Sequence, residues 1–300
     1  MTRAETKRAR LREGLASPAP VVTVGAHDAM TAQLVESYGF DAVWVSGLGV
    51  STMAYAMPDL NLITMPETLE AAIRMDRATE LPVVVDCDNG YGGLSNLVRT
   101  VREFERAGIS AICVEDNTFP KRNSLLGEET ERALIPAEEQ ARRISAAKAA
   151  QETDDFVFIA RVEALIAGYG VEDACERADA YVDAGADAIL IHSRDKTLFE
   201  IEDFLERWQG TGEVPLVAVP TLFPSFTVDQ LGEMGFRLVI FANQPMRAAV
   251  SAIEQTLEVL RNERRASAAD PTIAPVDHVF ELVKTKEAIA LEEAVEVRPA

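Results

Sequence analysis

Basic residues are scarce in this 300-residue chain: 29 Lys and Arg stand against 49 Asp and Glu, a formal net charge of −20. So acidic a chain repels nucleic acid, and no such partner is expected; an anionic ligand has to be gathered by local cations or a bound metal ion. Cysteine is scarce too. Cys87, Cys113 and Cys175 are odd in number and lack Cys-x-x-Cys spacing, which argues against a disulfide framework and a zinc site. Cys113 and Cys175 read as small buried apolar residues. Long hydrophobic runs are missing: none approaches a bilayer span, and the charged stretch Thr2 to Arg12 is followed by no apolar region. A cytoplasmic protein with no membrane partner is expected. No Gly-x-Gly-x-x-Gly follows the first apolar run, which argues against an open doubly wound sheet.

Short apolar and β-branched runs are what the chain does have. They are Val21–Val24, Ala42–Val45, Pro82–Val85, Ala111–Val114, Phe156–Ala160, Ala188–Ile191, Pro215–Val219 and Arg237–Phe241. Between them lie segments with apolar positions at three- and four-residue spacing, among them Ala29–Tyr38, Pro66–Ala78, Leu94–Ala107, Pro136–Gln151, Val171–Ala184, Ile201–Gln209 and Thr227–Met234. Gly39, Gly108, Gly185 and Gly235 stand where helix C-caps belong, and a strand follows each at once. Eight near-continuous apolar strands, each followed by a helix, imply parallel strands buried on both faces and closed into an α/β (β/α)8 barrel. One barrel domain over residues 1–300 is expected, with an N-terminal helix in 1–17. Residues 266–300 then form a linker (Ser267–Pro275) and a helical extension (Val276–Val295).

In such a barrel the residues just after each strand share one face, where barrel enzymes place their sites. Asp86 and Asp88 follow the third strand, and alternation along a strand would point both carboxylates the same way. Glu115, from the next strand, completes an oxygen-rich Mg²⁺ site. The alternative is that these acids cap helices or pair with rim arginines, and it weighs most for Asp116. Arg161 after the fifth strand is placed to grip a phosphoryl or carboxylate group, or to pair with Glu163. His192 after the sixth is a phosphoryl contact or an acid/base. His27 reads as structural, Asn243 joins the same rim, and the loop Lys121-Arg122-Asn123 brings cations and an amide beside the acids.

These residues carry a resemblance. Ser46-Gly47-Leu48-Gly49, Asp86-x-Asp88-x-Gly90-Tyr91-Gly92, Glu115-Asp116-x-x-Phe119-Pro120-Lys121-Arg122-Asn123-Ser124, Ala160-Arg161-Val162-Glu163-Ala164 and His192-Ser193 resemble the isocitrate lyase and phosphoenolpyruvate mutase superfamily over about residues 20–260. The resemblance implies that Ser46, Gly47 and Leu48 hold a pyruvyl group by their backbone, and that Asp86, Asp88 and Glu115 hold Mg²⁺, partly through water. It implies that Arg161, His192 and Asn123 contact a phosphoryl group, that Lys121 and Asn123 ride on a mobile loop, and that Asp59 is a site residue. Lyases of the superfamily carry a cysteine in this loop, which is absent here, and hydrolases tend to carry threonine at the position of Asn123. The mutase branch, interconverting phosphoenolpyruvate and phosphonopyruvate, is therefore expected; a phosphonopyruvate hydrolase, a related lyase or decarboxylase, and a non-catalytic metabolite-binding barrel are the alternatives. Asn117, where several mutases have lysine, is a departure. The resemblance also implies a homotetramer, a dimer of dimers, with exchanged C-terminal helices.

Overall fold

The computed structural model describes residues 1–127, 130–208, 210 and 214–296. Its eight strands are β1 (Val21–Ala26), β2 (Ala42–Val45), β3 (Val83–Asp86), β4 (Ala111–Glu115), β5 (Val157–Val162), β6 (Ala188–Ile191), β7 (Leu216–Ala218) and β8 (Phe236–Phe241). All neighbours pair in parallel, and β8 closes on β1. The expected barrel is present, each strand within two residues of its anticipated ends. The helices are α1 (Arg3–Ala16), α2 (Ala29–Ser37), α3 (Gly47–Tyr55), α4 (Met65–Ala78), α5 (Leu94–Arg106), α6 (Ala137–Ala150), α7 (Ala164–Ala167), α8 (Val171–Asp183), α9 (Phe199–Arg207), α10 (Val228–Glu233), α11 (Gln244–Glu263), α12 (Val276–Leu282) and α13 (Thr285–Glu296). Gln209, the anticipated end of α9, lies outside the described residues.

Alternation along the strands sorts side chains into two cores. Ala42, Trp44, Val84, Ala111, Cys113, Val157, Ile159, Leu190 and Ile240 pack together inside the barrel, and Leu11 and Leu15 of α1 join them. Val43, Val45, Val83, Val85, Ile112, Val114, Phe158 and Ile189 face the helices instead. On α5 the buried positions Leu97, Val101 and Phe104 form the matching stripe. Helix α1 is fastened to the opposite end of the barrel from the mouth: Arg8 donates to Ile109 O at 2.9 Å and Arg12 to Phe156 O at 3.0 Å.

One backbone contact in the wall leaves no room for a side chain. A Cβ on Gly25 would lie 2.0 Å from the carbonyl oxygen of Ala242. Since backbone cannot swing aside as a flexible side chain can, Gly25→Ala is expected to lower stability by about 1–3 kcal/mol, read as a reduced urea midpoint with unchanged slope.

The chain forms two compact units, Met1–Met246 and Arg247 onward, the division falling inside α11. The second unit holds the rest of α11, two short 3₁₀ turns, α12 and α13. Within the expected helical extension α12 and α13 are separated at Lys284, which takes a left-handed φ of 55°. No helix among the described residues is long and apolar enough to cross a membrane.

Candidate active site

The register that buries Val84, Cys113, Ile159 and Leu190 carries their i+2 neighbours Asp86, Glu115, Arg161 and His192 to the inner face of the mouth. With Ser46, Leu48, Asp59, Lys121 and Asn123 they line one cavity. About 540 Å³ of space lies within it, solvent at its opening included. Asp88 and Gly47 stand just behind its wall.

Asp88 reaches the site by a route other than strand alternation. Strand β3 ends at Asp86, and Asp88 sits in a turn with φ 49°. That turn brings the carboxylates together all the same: a Cβ on Gly47 would stand 3.1 Å from Asp86 Oδ2 and 3.3 Å from Asp88 Oδ1. Glycine at 47 therefore lets α3 begin directly above the acids. Ser46 caps that helix, its hydroxyl accepting from Gly49 N at 3.1 Å. The first amides of the helix, on Gly47 and Leu48, have no intrahelical acceptor and form an anion-seeking edge.

Loop residues Lys121 and Asn123 are fastened from below by Asp59. Its carboxylate lies 2.9 Å from Lys121 Nζ and accepts from Asn123 Nδ2 at 2.6 Å. Lys121 Nζ also contacts Asp88, and its backbone N–H donates to Asn61 Oδ1 at 2.6 Å. Burial opposes the lysine's charge, but Asp88 and Asp59 outweigh it and hold the ammonium protonated well above its ordinary range. Burial lifts the Asp88 carboxyl to about 6, Lys121 pulling against the rise and Asp86 and Asp59 adding to it.

The far wall is an Arg161–Glu163–His192 cluster. Arg161 Nε pairs with Glu163, Nη1 lies 3.7 Å from Glu115 Oε2, and Nη2 donates to Ser124 Oγ at 2.9 Å. Arg161 thus faces the cavity and pairs with Glu163. His192 Nδ1 is 3.0 Å from Arg161 Nη2 and 3.2 Å from Glu163 Oε1, while its Nε2 has no hydrogen-bond partner among the described residues. Burial and Arg161 lower the His192 pKa against the pull of Glu163, favouring a neutral ring. Burial would raise Glu163, but Arg161 and His192 hold its carboxyl down at about 2. Glu115 is pushed up to about 8 by burial, Arg161 and Lys121 opposing and Glu163 and Asp86 adding.

Asp59, Asp86, Asp88, Glu115 and Glu163 outnumber the cations Lys121 and Arg161, and Glu115 Oε1 is buried without a hydrogen-bond partner among the described residues. Among the described residues, no three His, Cys, Asp or Glu side chains form a ready-made metal cage, and Lys121 pairs with both Asp59 and Asp88. The donor set still suits Mg²⁺: carboxylates only, two of them converging at Gly47 and one with an idle oxygen, as befits an ion that keeps several waters.

Other sequence readings divide. Asn243 lines the cavity, its buried Oδ1 without a hydrogen-bond partner among the described residues. His27 is buried outside it, as expected. Asp116 turns away from the mouth and bonds Arg177 and Tyr181. Asn117 is buried at the base of the loop, in a bridge to Leu134. Cys113 is buried and Cys175 half-buried, both as free thiols. Trp44, Ser124, Asn61 and Thr221 were not anticipated; only Trp44, two residues before Ser46 on an inward-facing register, carried a signal that could have found it.

A parallel eight-stranded barrel with an acid cluster, a buried lysine and a guanidinium–imidazole pair at its mouth has the arrangement of an enzyme site. A family profile described as phosphoenolpyruvate phosphomutase matches residues 11–261, and the chain belongs to that enzyme family. The phosphoenolpyruvate phosphomutase of Tetrahymena pyriformis is 40% identical over 257 residues, covering 86% of this chain and 84% of that protein. The phosphonopyruvate hydrolase of Variovorax sp. (strain Pal2) is 41% identical over 280 residues, covering 92% and 94%. Among solved structures, phosphoenolpyruvate phosphomutase from Streptomyces platensis subsp. rosaceus matches with TM-score 0.91 and 40% identity over 96% of this chain and 98% of that one. A phosphonopyruvate hydrolase in complex with oxalate and Mg²⁺ matches with TM-score 0.87 and 38% identity over 98% and 99%.

Proposed function

We propose that this protein interconverts phosphoenolpyruvate and 3-phosphonopyruvate with Mg²⁺ bound. The observation that carries the reading is Asn123: the loop over the cavity presents an amide, a hydrogen-bonding group that neither attacks phosphorus nor takes up a proton at neutral pH. None of the three cysteines lines the cavity, so a lyase using a loop cysteine as acid/base is disfavoured.

In this reading the Gly47 and Leu48 amides bind the carboxylate end of the substrate. Arg161, His192 and Asn123 surround the phosphoryl group. With Nδ1 accepting from Arg161, the neutral His192 ring keeps its proton on Nε2 as a donor to a phosphoryl oxygen; donating to Glu163 instead would leave Nε2 an acceptor. Asp86, Asp88 and Glu115 hold Mg²⁺, which when bound neutralises the growing charge on the enolate and carboxylate oxygens. The reaction breaks the bond from phosphorus to the enolate oxygen and forms one to C3, with no net proton change. Positioning and charge stabilisation are then the protein's whole task. Ser124 Oγ accepts from Arg161 at 2.9 Å, which engages the hydroxyl as an acceptor; the reading is direct transfer with no covalent phosphoenzyme.

The second reading is a phosphonopyruvate hydrolase, favoured by the Variovorax relative of nearly equal identity. The two differ in whether water enters the closed cavity. The deciding experiment is ³¹P NMR of the protein with phosphonopyruvate and Mg²⁺. Phosphoenolpyruvate appearing, and ceasing to appear when EDTA is added, is the expected result. Inorganic phosphate in its place would establish the hydrolase.

A cytoplasmic homotetramer belongs to the same reading. The exposed apolar residues of α12 and α13, Val276, Val279, Phe280, Ile289 and Leu291, support association through the C-terminal helices. Light scattering at the tetramer mass is expected, and a monomer would remove this part of the proposal.

A further inference from the structure

The loop above the cavity is held from outside as well as from inside. Residues Asn123 to Gly127 turn tightly, and carbonyls in such a turn have no strand to receive them. Two arginines take them up. Arg132, on the returning limb of the same loop, donates to Asn123 O at 3.0 Å, Leu126 O at 2.9 Å and Thr130 O at 2.9 Å. Arg194 comes from a different element, two residues beyond His192. It donates to Gly127 O at 3.1 Å, to Leu126 O and, at 3.4 Å, to Ser124 O. Arg194 does not line the cavity; it borders a separate surface cleft with Arg132 and Glu200.

These two fastenings act differently. Arg132 shapes the loop but travels with it. The inner ties between loop and barrel are Lys121 to Asp59 and Asp88, Asn123 to Asp59, and Arg161 to Ser124. They use the side chains that a phosphoryl substrate would claim, so binding exchanges part of them for substrate oxygens. Among the described residues Arg194 donates to backbone carbonyls alone, and these are groups a ligand in the cavity does not claim.

We infer that Arg194 is a positioning residue, a latch tying the loop that carries Asn123 and Ser124 to the strand end that carries His192. Both sides of the phosphoryl pocket are thereby held in one arrangement, and solvent is kept out while the inner ties are exchanged. A guanidinium can fork across three carbonyls, whereas an ammonium is a point donor. The water-exclusion part of this inference rests on the mutase reading; the latch itself does not.

The test uses full-length Arg194→Leu and Arg194→Lys proteins. Hydrogen exchange is read without substrate, so its outcome stands whatever the activity proves to be. Amides 123–127 are expected to exchange about tenfold faster in Arg194→Leu, with exchange in α5 and α8 and the thermal midpoint unchanged and Arg194→Lys intermediate. Unchanged exchange at 123–127 would overturn the latch. In the ³¹P assay, Arg194→Leu is expected to raise the share of inorganic phosphate relative to the isomerised product and to lower kcat/KM. Faster loop exchange with an unchanged product ratio would overturn water exclusion. If the wild type shows no isomerisation at all, the mutase reading fails while the exchange result still decides the latch.

Discussion

Asn123→Ala is expected to lower turnover by roughly 10²–10³-fold, the usual cost of removing one aligned donor from a charge-stabilising site, while the thermal midpoint moves little. The side chain is half-buried on the cavity side of a loop. Its lost contacts are the donation to Asp59 at 2.6 Å and the acceptance from Leu125 N at 2.9 Å. Neither belongs to the barrel's core, so the change in stability should stay within about 1 kcal/mol. The loss should fall chiefly on kcat, because the amide's contribution is to hold the phosphoryl group in flight more than to bind the ground state. Asn123→Asp is a sharper control: it keeps the size but sets a second carboxylate against Asp59, so it should lose at least as much activity and also loosen the loop. Steady-state kinetics with a thermal melt on each variant checks both. Full activity in Asn123→Ala would remove the amide from the reaction and with it the main ground for preferring the mutase over the hydrolase.

How much of this was readable in advance depended on the range of the interaction. The barrel was legible because each strand announces itself locally. Alternating burial then places Asp86, Glu115, Arg161 and His192 on one rim without further information. Asp88 was found for an incorrect reason: the sequence pattern extends the strand through it, whereas the chain turns with φ 49° and the carboxylate arrives by the turn. Asn61, which donates to Asp88 Oδ2 at 2.9 Å and accepts from Lys121 N at 2.6 Å, left no trace. Its partners are 27 and 60 residues away, in an irregular connection whose path no periodicity reports. Ser124 and Arg194 were hidden for the same reason. Asp59 was reached only through resemblance, and its position beneath both Lys121 and Asn123 supplies the physical role that resemblance left unstated.

The adjacent acids Glu115 and Asp116 show why a pair of like residues at a strand end should not be given one role. Strand alternation sends Glu115 into the mouth and Asp116 outward, where it is fully buried between β4 and α8. There its Oδ2 accepts from Arg177 Nη1 at 3.0 Å and from the Tyr181 hydroxyl at 2.7 Å, while Oδ1 accepts from Glu163 N at 3.0 Å. Burial raises its pKa, with Arg177 and Tyr181 working against the rise. Asp116→Ala leaves Arg177 paired with Asp173 at 2.5 Å but removes three buried hydrogen bonds at once, so it is expected to lower stability by about 2–3 kcal/mol in urea unfolding. Asp116→Asn preserves shape and an acceptor and should cost less. Adding Arg177→Leu to Asp116→Ala should cost less than the sum of the two single changes, because their shared bond is lost only once. Activity should fall in Asp116→Ala as well, since Asp116 anchors the backbone of Glu163, the residue that orients Arg161 and His192. If Asp116→Ala proves nearly neutral for stability yet inactive, Asp116 serves to place Glu163 and contributes little to holding the barrel to α8.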